Sequence, residues 1–434
     1  MKFKFGLKYR QMLGLMLLMS FLYFVSCSIQ YPISRKTHIT ITSGQTGLIT
    51  KIIQKAIDSC AANGGGTVLF PAGTYLTGGI QLKSNVTLQL DKGAILQGSD
   101  KYTDYKNDAF IYGKDLSNIA IQGEGTIDGV NCYNPKGEEG FRGPHCIRLI
   151  NCKNISLKGF TIINSANWAI NCRYSSYATV ENVSIRGGHD GLHTRFCNNF
   201  TVTGCDFRTG DDAFAGNDNR NFLITDCKIN TSCNAFRMGC YNLTVKRCHL
   251  WGPGESIHKI QKRNNMLAAF VHFSPKDENP KLLSGNWLIQ DVTVDRVDNF
   301  YNYNYENGLW QTGQPVTSIR FENIKATGLL KAFTINGDQK RQMELTVKNS
   351  SFSFREGTNV QNVNFEGAKF SSNAFFNAAN FDVIDLSNVT LQKATRNVLL
   401  EGRSGNKIVI NGVHVKTDST SSPFLFTDVV KIIR

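Results

Sequence analysis

The chain has 434 residues and a formal net charge of +14 at pH 7, from 48 Lys and Arg and 34 Asp and Glu. This charge suits nucleic acid, anionic lipid headgroups or an acidic polysaccharide as a partner, or serves only to keep the protein in solution. No block of Lys and Arg stands out, and after the N-terminal segment no apolar run reaches the roughly 20 residues of a membrane-spanning helix. The sequence therefore argues against nucleic-acid binding and further membrane spans, and favours an acidic glycan as partner.

The first residues have the layout of an export signal. "MKFKFGLKYRQMLGLMLLMSFLYFVSCS" places Lys and Arg first, then an apolar run, then Ser26 and Cys27. "FVSC" resembles the cleavage box of a bacterial lipoprotein, with Phe24 in place of the usual Leu; the alternative is an ordinary signal peptide with a chance cysteine. We predict a signal peptide over residues 1–26, lipidation of Cys27, and export to the outer membrane or periplasm of a bacterium, or else secretion.

The next segment, "TGLITKIIQKAIDSCAANGGG" at residues 46–66, predicts a helix. Its apolar residues recur at helical spacing, and Gly64 follows as a stop signal. The residues at this spacing are Ile49, Ile52, Ile53, Ala56, Ile57 and Cys60. Because the open end of a stack of strands exposes an unpaired edge, we expect this helix to cap the structure that the following repeats build.

Short strand-like segments then recur along the chain. "NNFTVTGCDF" (198–207), "RNFLITDCKI" (220–229) and "YNLTVKRCHL" (241–250) begin 22 and 21 residues apart, and weaker copies begin at residues 84, 117, 153 and 407. This period, with Asn and Gly at the turns, is typical of a β-solenoid whose stacked coils share one apolar core and whose turn amides bond along the stack. We predict a single solenoid domain over residues 36–434, with longer loops after residue 255.

Cysteine is also placed by the repeat. The chain has 12 cysteines, and Cys205, Cys227 and Cys248 fall at the same repeat position. An exported protein can oxidise its cysteines, but free cysteine is among the most buried residue types. The spacing favours a ladder of small buried side chains over disulfides.

Several segments resemble glycoside hydrolase family 28, the polygalacturonase-like right-handed parallel β-helices. They are "GGGTVLFPAGTYLTGGIQLKSNVTLQLDKGAILQGS" (64–99), "GEGTIDG" (123–129) and "INSANWAINC" (163–172), within a similarity that runs from about residue 45 to about residue 250. The resemblance implies an all-β, right-handed parallel β-helix that hydrolyses a pectin-type polysaccharide or oligosaccharide without a cofactor or metal.

The family carries its catalytic residues on three successive turns, Asn-Thr-Asp-Gly, Gly-Asp-Asp and Gly-His-Gly. Here "GHDGLHTRF" (188–196) supplies Asp190, and "TGDDAFAGND" (209–218) supplies Asp211 and Asp212. The third turn, "CNAFRMGC" (233–240), has Asn234 where the family has histidine. Asp190 and Asp211 are 21 residues apart, one coil, so stacking brings the three carboxyls onto one outer face.

The resemblance also implies the roles of these residues. Asp211 protonates the glycosidic oxygen, while Asp190 and Asp212 orient and deprotonate the attacking water. Inverting glycosidases hold their carboxyls about 6.5 to 9.5 Å apart. We expect the neighbouring negative charges to raise the pKa of Asp211, so that it keeps its proton.

Strand alternation gives the same cluster without the family. It directs Leu192, Phe214 and Phe236 inward. The next residues, His193, Ala215 and Arg237, then point outward beside the carboxyls. Taken singly, His189, His193 and Arg195 are equally well explained as turn or edge residues.

Candidate substrate-binding residues lie around the three acids and further along the chain. The family's Arg-x-Lys, which grips a uronate, is not recognisable in "AAFVHFSP" (268–275). In "NFYNYNYENGLW" (299–310), Tyr301, Tyr303, Tyr305 and Trp310 offer flat apolar faces that suit sugar rings, unless they form a wall of the core. The full set is His189, His193, Arg195, Asn234, Arg237, His272, Tyr303 and Trp310.

Two other functions fit the sequence. A β-helix polysaccharide lyase would use a basic residue and a group that neutralises a carboxylate, or calcium. A non-catalytic surface glycan-binding protein on a hydrolase scaffold fits the missing histidine, whereas the intact acids argue against it. We find no His, Cys or Asp cluster with the spacing of metal ligands.

Overall fold

The computed structural model describes residues 37–340, 342–355, 374–394, 400–417 and 422–434. The predicted signal segment and its cysteine lie outside these residues. Among the helices of the described part, none is long and apolar enough to cross a membrane.

Most of the described chain forms short strands. The first nine are β1 Thr37–Thr40, β2 Gly66–Phe70, β3 Gly73–Thr77, β4 Ile80–Gln81, β5 Val86–Leu90, β6 Ala94–Gly98, β7 Ala109–Lys114, β8 Ser117–Gly123 and β9 Thr126–Asp128. The next thirteen are β10 His145–Ile150, β11 Lys153–Lys158, β12 Thr161–Ile163, β13 Ile170–Arg173, β14 Ser176–Glu181, β15 Ser184–Gly187, β16 Leu192–Arg195, β17 Asn198–Thr203, β18 Asp206–Thr209, β19 Phe214–Thr225, β20 Lys228–Thr231, β21 Asn234–Lys246 and β22 His249–Trp251. The last eleven are β23 Ala268–His272, β24 Trp287–Gln290, β25 Thr293–Asp295, β26 Asn299–Asn304, β27 Ser318–Glu322, β28 Lys325–Leu329, β29 Lys331–Asn336, β30 Met343–Phe354, β31 Phe376–Ala394, β32 Leu400–Thr417 and β33 Phe424–Ile433.

Successive coils place their strands in three parallel ladders. Strands β10, β11 and β12 pair with β13, β14 and β15, which pair in turn with β16, β17 and β18. The pattern continues through β19, β20 and β21, where the long strands β19 and β21 each serve two ladders. The chain is therefore a right-handed parallel β-helix, and the predicted fold class is confirmed.

Asparagine marks the same turn of most coils, with Tyr177 at this position in one of them. At this turn the asparagines adopt the left-handed conformation, with φ between 56° and 64°, which Asn tolerates better than most residues. Their amides bond along the stack, as from Asn118 to Asn85 (2.9 Å) and from Asn242 to Asn221 (2.8 Å). The left-handed set is Asn85, Asn118, Asn154, Asn199, Asn221 and Asn242. The predicted asparagine ladder is confirmed, and it fixes where each strand begins.

The core consists of apolar side chains stacked from coil to coil. Leu192, Phe214 and Phe236 are paired in register and buried, and the rings of Phe214 and Phe236 are stacked with centroids 4.9 Å apart. All 11 cysteines of the described residues are free and buried, including the predicted ladder of Cys205, Cys227 and Cys248. Both predictions are confirmed.

The predicted helix is α1, Thr50–Ala62, and it packs against the first strands. Its core-facing residues include Ile53, Ala56 and Ile57. Ile52 was expected on the apolar face, but its side chain is 45% exposed because it lies at the edge of that face.

Long loops interrupt the stack on one side of the helix. Residues 252–267, 273–286 and 305–317 each connect one strand to the next along the chain, which confirms the irregular period predicted after residue 255. Another loop, 129–144, precedes β10 and contains the short 3-10 turn Glu138–Gly140. The two loops 129–144 and 252–267 cover the face that carries the predicted acids, and this cover changes the character of the site.

Candidate active site

The outward row predicted from strand alternation is present. His193, Ala215 and Arg237 are paired in register on β16, β19 and β21. The row is not an open surface, because His193 and Ala215 are both buried. The prediction of an outward row is confirmed, and the prediction of an exposed sheet face is wrong because the loops cover it.

The three carboxyls converge at the start of this row. Asp190 lies two residues before Leu192, and Asp212 lies two residues before Phe214, which is paired in register with Leu192. Asp211 lies in the turn between the coils. One oxygen of each carboxyl lies within 4.8 Å of the others. This spacing is tighter than the expected separation of about 6.5 to 9.5 Å, because adjacent coils of a β-helix are only about 4.8 Å apart.

The carboxyls differ in their access to solvent. Asp212 is completely buried and Asp190 is 2% exposed, whereas the side chain of Asp211 is 16% exposed. Of the three, Asp211 can therefore contact a large ligand directly, and the two buried carboxyls can contact only a small molecule behind it.

Asp212 is held by the coil that follows it. The Asn234 side-chain amide donates to Asp212 Oδ1 at 2.8 Å, and the Asn234 backbone N–H donates to the same oxygen at 3.2 Å. The Arg237 Nε–H donates to Asp212 Oδ2. The Arg237 guanidinium also lies over the rings of Phe273 and Trp310, at 4.3 and 5.1 Å from their centroids. Asn234 and Arg237 thus position Asp212, and their predicted contact with substrate stays a prediction.

Asp190 is held by an imidazole. Asp190 Oδ2 and His193 Nδ1 share a hydrogen bond of 2.8 Å, and the His193 ring is stacked on Trp168 with centroids 3.6 Å apart and planes 3° from parallel. The other oxygen, Oδ1, is buried and has no hydrogen-bond partner within the described residues. His193 thus positions Asp190, and one carboxyl oxygen remains available to a small polar molecule.

Two residues that the sequence did not indicate contact Asp211. His258 Nε2 lies 3.5 Å from Asp211 Oδ1, and an Arg142 guanidinium nitrogen lies 3.8 Å from Asp211 Oδ2. Arg142 is fixed in turn by Glu139 at 2.7 Å and Asn167 at 3.3 Å. His258 and Arg142 come from the two covering loops, outside the repeat, so the repeat pattern carried no signal for them.

These contacts set the pKa values of the three acids. Burial, together with the charges of Asp211 and Asp212, raises the pKa of Asp190 well above its ordinary value. Burial and the charge of Asp211 also raise the pKa of Asp212, against the opposing effect of Arg237. Burial alone would raise the pKa of Asp211, but the hydrogen bond and charge of His258, with Arg237 and Arg142, hold it below its ordinary value. The expectation that Asp211 has a raised pKa is therefore wrong for the free protein, because His258, Arg237 and Arg142 surround it.

The remaining predicted residues lie in different places. Trp310 is 43% exposed beside Arg237, at the edge of the site. His189 is buried under Phe141, and burial and Arg142 lower its pKa to about 3. Arg195 is bound to Glu278, with a 2.9 Å ion pair, and has no recorded contact with the acids among the described residues.

The two residues predicted furthest along the chain belong to the interior. His272 is completely buried and shares a 2.8 Å hydrogen bond with the Gln314 carbonyl. Tyr303 is completely buried, and its hydroxyl oxygen accepts from the Val316 N–H. Tyr301 is buried as well, so the prediction that these side chains bind sugar is wrong and the alternative of a core wall is right.

Ligand atoms suited to a metal also meet at the site. Asp211, Cys233 and His258 place one ligand atom each within 4.8 Å of one another, as do the three aspartates. The spacing along the sequence does not indicate the group of Asp211, Cys233 and His258, because these residues lie on three separate segments. Cys233 and His258 are buried, and three such ligands of mixed type resemble an open zinc site more than a calcium site.

A cleft of about 280 Å³ opens beside the acids, toward the N-terminal coils. Its lining includes the loop residues Lys136 and Arg142 and the strand residues Arg148, Asn171 and Arg173. Trp168, which is stacked on His193, forms part of the same wall. Trp168 and Asn171 belong to "INSANWAINC" (163–172), a segment that predicts the fold but no role for either residue.

Known proteins are similar to the part of the chain that carries the three aspartates. Residues 60–238, which contain all three aspartates, match the family model of glycosyl hydrolases family 28. The chain is 35% identical over 149 residues to an exo-poly-alpha-D-galacturonosidase of Dickeya chrysanthemi, covering 29% of this chain and 24% of that protein. It is 27% identical over 164 residues to an endo-polygalacturonase of Pectobacterium carotovorum subsp. carotovorum, covering 30% of this chain and 40% of that protein. The chain has the polygalacturonase-like fold of glycosyl hydrolase family 28.

Solved structures show the same fold over most of the chain. An exopolygalacturonase of Thermotoga maritima matches with a TM-score of 0.61 and 16% identity, covering 82% of this chain and 91% of that one. A family 28 exopolygalacturonase of Yersinia enterocolitica matches with a TM-score of 0.60 and 17% identity, covering 92% and 78%. A tailspike protein of E. coli bacteriophage HK620 in complex with a pentasaccharide matches with a TM-score of 0.53 and 15% identity, covering 89% and 76%. The aligned regions span less than half the length of the curated relatives above.

Proposed function

We propose that the protein hydrolyses glycosidic bonds of a pectin-type polysaccharide or oligosaccharide, with inversion at the anomeric carbon. The observation that carries the proposal is the convergence of Asp190, Asp211 and Asp212 within 4.8 Å, with an imidazole beside the carboxyl that reaches solvent. Three acids so close together repel one another and would not be kept for stability alone.

Asp211 acts as the general acid. It is the most exposed of the three carboxyls, so it can reach a glycosidic oxygen. Its Oδ1 lies 3.5 Å from His258 Nε2, which makes this imidazole the group that exchanges the proton with it. A sugar bound over the pair excludes water and makes separated charges costly, which favours the neutral carboxyl that donates to the leaving oxygen.

Asp212 and Asp190 act on the attacking water. Asp212, whose negative charge is stabilised by Arg237 and Asn234, accepts the proton of the water. Asp190 orients the water through Oδ1, which has no partner in the described part of the chain. After the product leaves, the proton passes from Asp212 back to Asp211, so the cycle needs no other reagent.

The burial of the two inner carboxyls favours inversion over retention. The short carboxyl spacing on its own is nearer to the roughly 5 to 5.5 Å of retaining enzymes. A retaining nucleophile must bond to the sugar ring, however, and neither Asp190 nor Asp212 is exposed enough to touch one. A water molecule is small enough to lie against both.

Product analysis with Asp211→Asn tests the proposal. We expect the wild type to release new reducing ends from pectic fragments, with the inverted anomer formed first in proton NMR spectra. Asp211→Asn should lose about 100- to 10,000-fold in kcat. Asp226→Asn is the matched control, because Asp226 is an exposed turn residue whose carboxyl is paired with Arg247.

Three outcomes would contradict the proposal. Half of wild-type activity in Asp211→Asn would remove that residue from the acid role. Products that absorb ultraviolet light would indicate a lyase. Binding of glycan without turnover over long incubation would favour a surface glycan-binding protein.

A further inference from the structure

Three aromatic side chains lie together on one corner of the β-helix, outside the cluster of acids. Tyr174 and Tyr177 are 58% and 53% exposed, and Phe196 follows Tyr174 at the equivalent position of the next coil. The rings of Tyr174 and Phe196 are stacked, with centroids 4.9 Å apart and planes 2° from parallel. We call these three residues the aromatic turn. Large apolar side chains that are exposed as a group, rather than singly, mark binding surfaces.

The backbone of the aromatic turn has a conformation that bulky residues tolerate poorly. The angle φ is 52° at Tyr174, 56° at Tyr177 and 54° at Phe196. Asn and Asp adopt this left-handed region more readily than other side chains do. At the position of Tyr174, the coil before has Asn151 and the coil after Phe196 has Asp218. Strain of this kind is concentrated at functional sites, so the aromatic residues indicate a role other than folding.

Tyr177 also interrupts the asparagine ladder. Strand register places it between Asn154 and Asn199. Asn154 donates to Asn118 at 2.9 Å, and Asn199 accepts from Asn221 at 3.0 Å. Tyr177→Asn would therefore join the two parts of the ladder and relieve the strain. Because the fold by itself favours asparagine here, stability does not account for the tyrosine.

The surroundings of the aromatic turn favour a neutral sugar as its ligand. Lys153 Nζ lies 5.4 Å from the Tyr177 ring centroid, and Arg195 Cζ lies 5.1 Å from the Phe196 ring centroid. Arg195 is also paired with Glu278. The nearby cations thus contact the rings, and aromatic rings present flat apolar faces that suit the C–H face of a sugar.

The aromatic turn borders the cleft beside the acids. Arg173 lines that cleft, and Tyr174 is the next residue. Phe196 is stacked on one face of the Tyr174 ring, so the 58% exposure of Tyr174 leaves its other face open to a ligand. A glycan chain that leaves the cleft on this side meets the Tyr174 ring first. This continuity favours a glycan over an unrelated partner.

We propose that Tyr174, Tyr177 and Phe196 form a second glycan-binding surface, which stacks on neutral sugar units of a polysaccharide. The class of ligand rests on the proposed function, but the binding can be measured without hydrolysis. Galactose units fit this chemistry, because one face of the ring carries the C–H groups of C3, C4 and C5 and packs against an aromatic ring. The surface holds units of the polymer that are not being cleaved.

Binding of a linear galactan tetrasaccharide to the full chain tests this surface, by ligand-observed NMR titration. The Asp211→Asn background keeps the sugar intact. We expect Tyr174→Asn to weaken binding at least about 10-fold, because a ring contact is lost. Tyr177→Asn should weaken binding and also raise the melting temperature, because it completes the ladder. Binding of tri-galacturonate, an acidic oligosaccharide, should not change in either variant.

The control is Tyr241→Asn, which removes another exposed tyrosine. Tyr241 lies two coils beyond Phe196 and has the Arg220 guanidinium over its ring. Galactan binding should be unchanged in this variant. Tyr174→Asn and Tyr177→Asn place a residue that suits the left-handed conformation, so both should fold, and thermal unfolding checks this.

The outcomes separate this proposal from the proposed function. The proposal would be overturned by galactan binding that is absent in the parent protein, unchanged in both Tyr174→Asn and Tyr177→Asn, or equally weakened in Tyr241→Asn. An equal loss of tri-galacturonate binding would contradict the assignment to neutral sugar. A wild-type dimer that dissociates in Tyr174→Asn without binding galactan would also overturn it, and would make the surface a contact between two copies of the chain. Failure of the proposed function would appear instead as unchanged turnover in Asp211→Asn.

Discussion

Replacing Asp190 by Asn should stabilise the protein at neutral pH while removing its activity. The raised pKa of Asp190 means that the fold favours its neutral form, which an asparagine imitates in size and polarity. The oxygen bonded to His193 Nδ1 at 2.8 Å has a direct equivalent in the amide oxygen. The variant cannot ionise, so it escapes the repulsion from Asp211 and Asp212.

The magnitude follows from the carboxyl spacing. Two unit charges that lie within 4.8 Å of each other repel by roughly 3.5 kcal/mol or more at an effective dielectric constant of about 20. The charges of Arg142 and Arg237 offset part of this repulsion. We therefore expect Asp190→Asn to gain on the order of 1 to 2 kcal/mol in free energy of unfolding at pH 8 relative to the wild type.

The gain should depend on pH with a definite sign. A carboxyl whose folded pKa lies above its unfolded value of about 3.9 stabilises the fold fully below that value and loses this contribution as pH rises through the folded pKa. Asp190→Asn lacks this loss, so its advantage over the wild type should be smallest near pH 4 and largest near pH 8. Urea denaturation at pH 4, 6 and 8 measures the difference.

The control for this series has the opposite sign. The hydrogen bond from Arg247 holds the pKa of the exposed Asp226 below its ordinary value. Its stabilisation is therefore present above the unfolded pKa and lost at low pH, so Asp226→Asn should be no more stable than the wild type at pH 8. An advantage of Asp190→Asn that stays constant or shrinks as pH rises would refute the reasoning.

Three further predictions concern the core, the imidazole and the substrate. Phe214→Ala should lower the free energy of unfolding by roughly 3 to 5 kcal/mol in urea denaturation. The buried ring packs against Phe207 and Phe236, with centroids 5.0 and 4.9 Å away, and the stack cannot close around the void. Unchanged stability would mean that the assignment of Phe214 to the core is wrong. His258→Gln should reduce kcat by about 100-fold with little change in KM, and an effect on KM alone would exclude a role in proton transfer. Unbranched polygalacturonan should be hydrolysed at least about 100-fold more slowly than pectic fragments with a neutral sugar at the scissile unit. The reason is that the strand expected to hold the family's Arg-x-Lys has the buried Val271 next to Arg237. Rapid hydrolysis of polygalacturonan would contradict this prediction and indicate an ordinary polygalacturonase.

The sequence was sufficient to predict the parts of the site that lie on strands. Alternation along a strand has a period of two, so knowing that Phe214 is inward places Ala215 outward. Because Leu192 and Phe236 lie one coil before and one coil after Phe214, the same argument places both of them inward. Asp190, Asp211 and Asp212 were predicted to converge for the same reason, because a solenoid converts a fixed sequence interval into contact.

The sequence could not predict what the loops do. His258 and Arg142 lie in loops with no repeat, and nothing in their local sequence indicates that they fold over Asp211. The sequence indicated only the negatively charged neighbours of Asp211, so the expectation that its pKa is raised was wrong. Tyr303 was misassigned for a related reason, because alternating aromatic residues look the same on a core wall and on a sugar platform.

The substitution of Asn234 for the family's histidine has a physical explanation in the structure. An asparagine at this position donates two hydrogen bonds to Asp212, one from its side chain and one from its backbone. The imidazole beside the exposed carboxyl comes instead from His258, in the loop that follows β22. Asn234 thus fixes the buried Asp212, and His258 supplies the imidazole beside the more exposed Asp211. The missing histidine therefore does not by itself argue that the chain has lost catalysis.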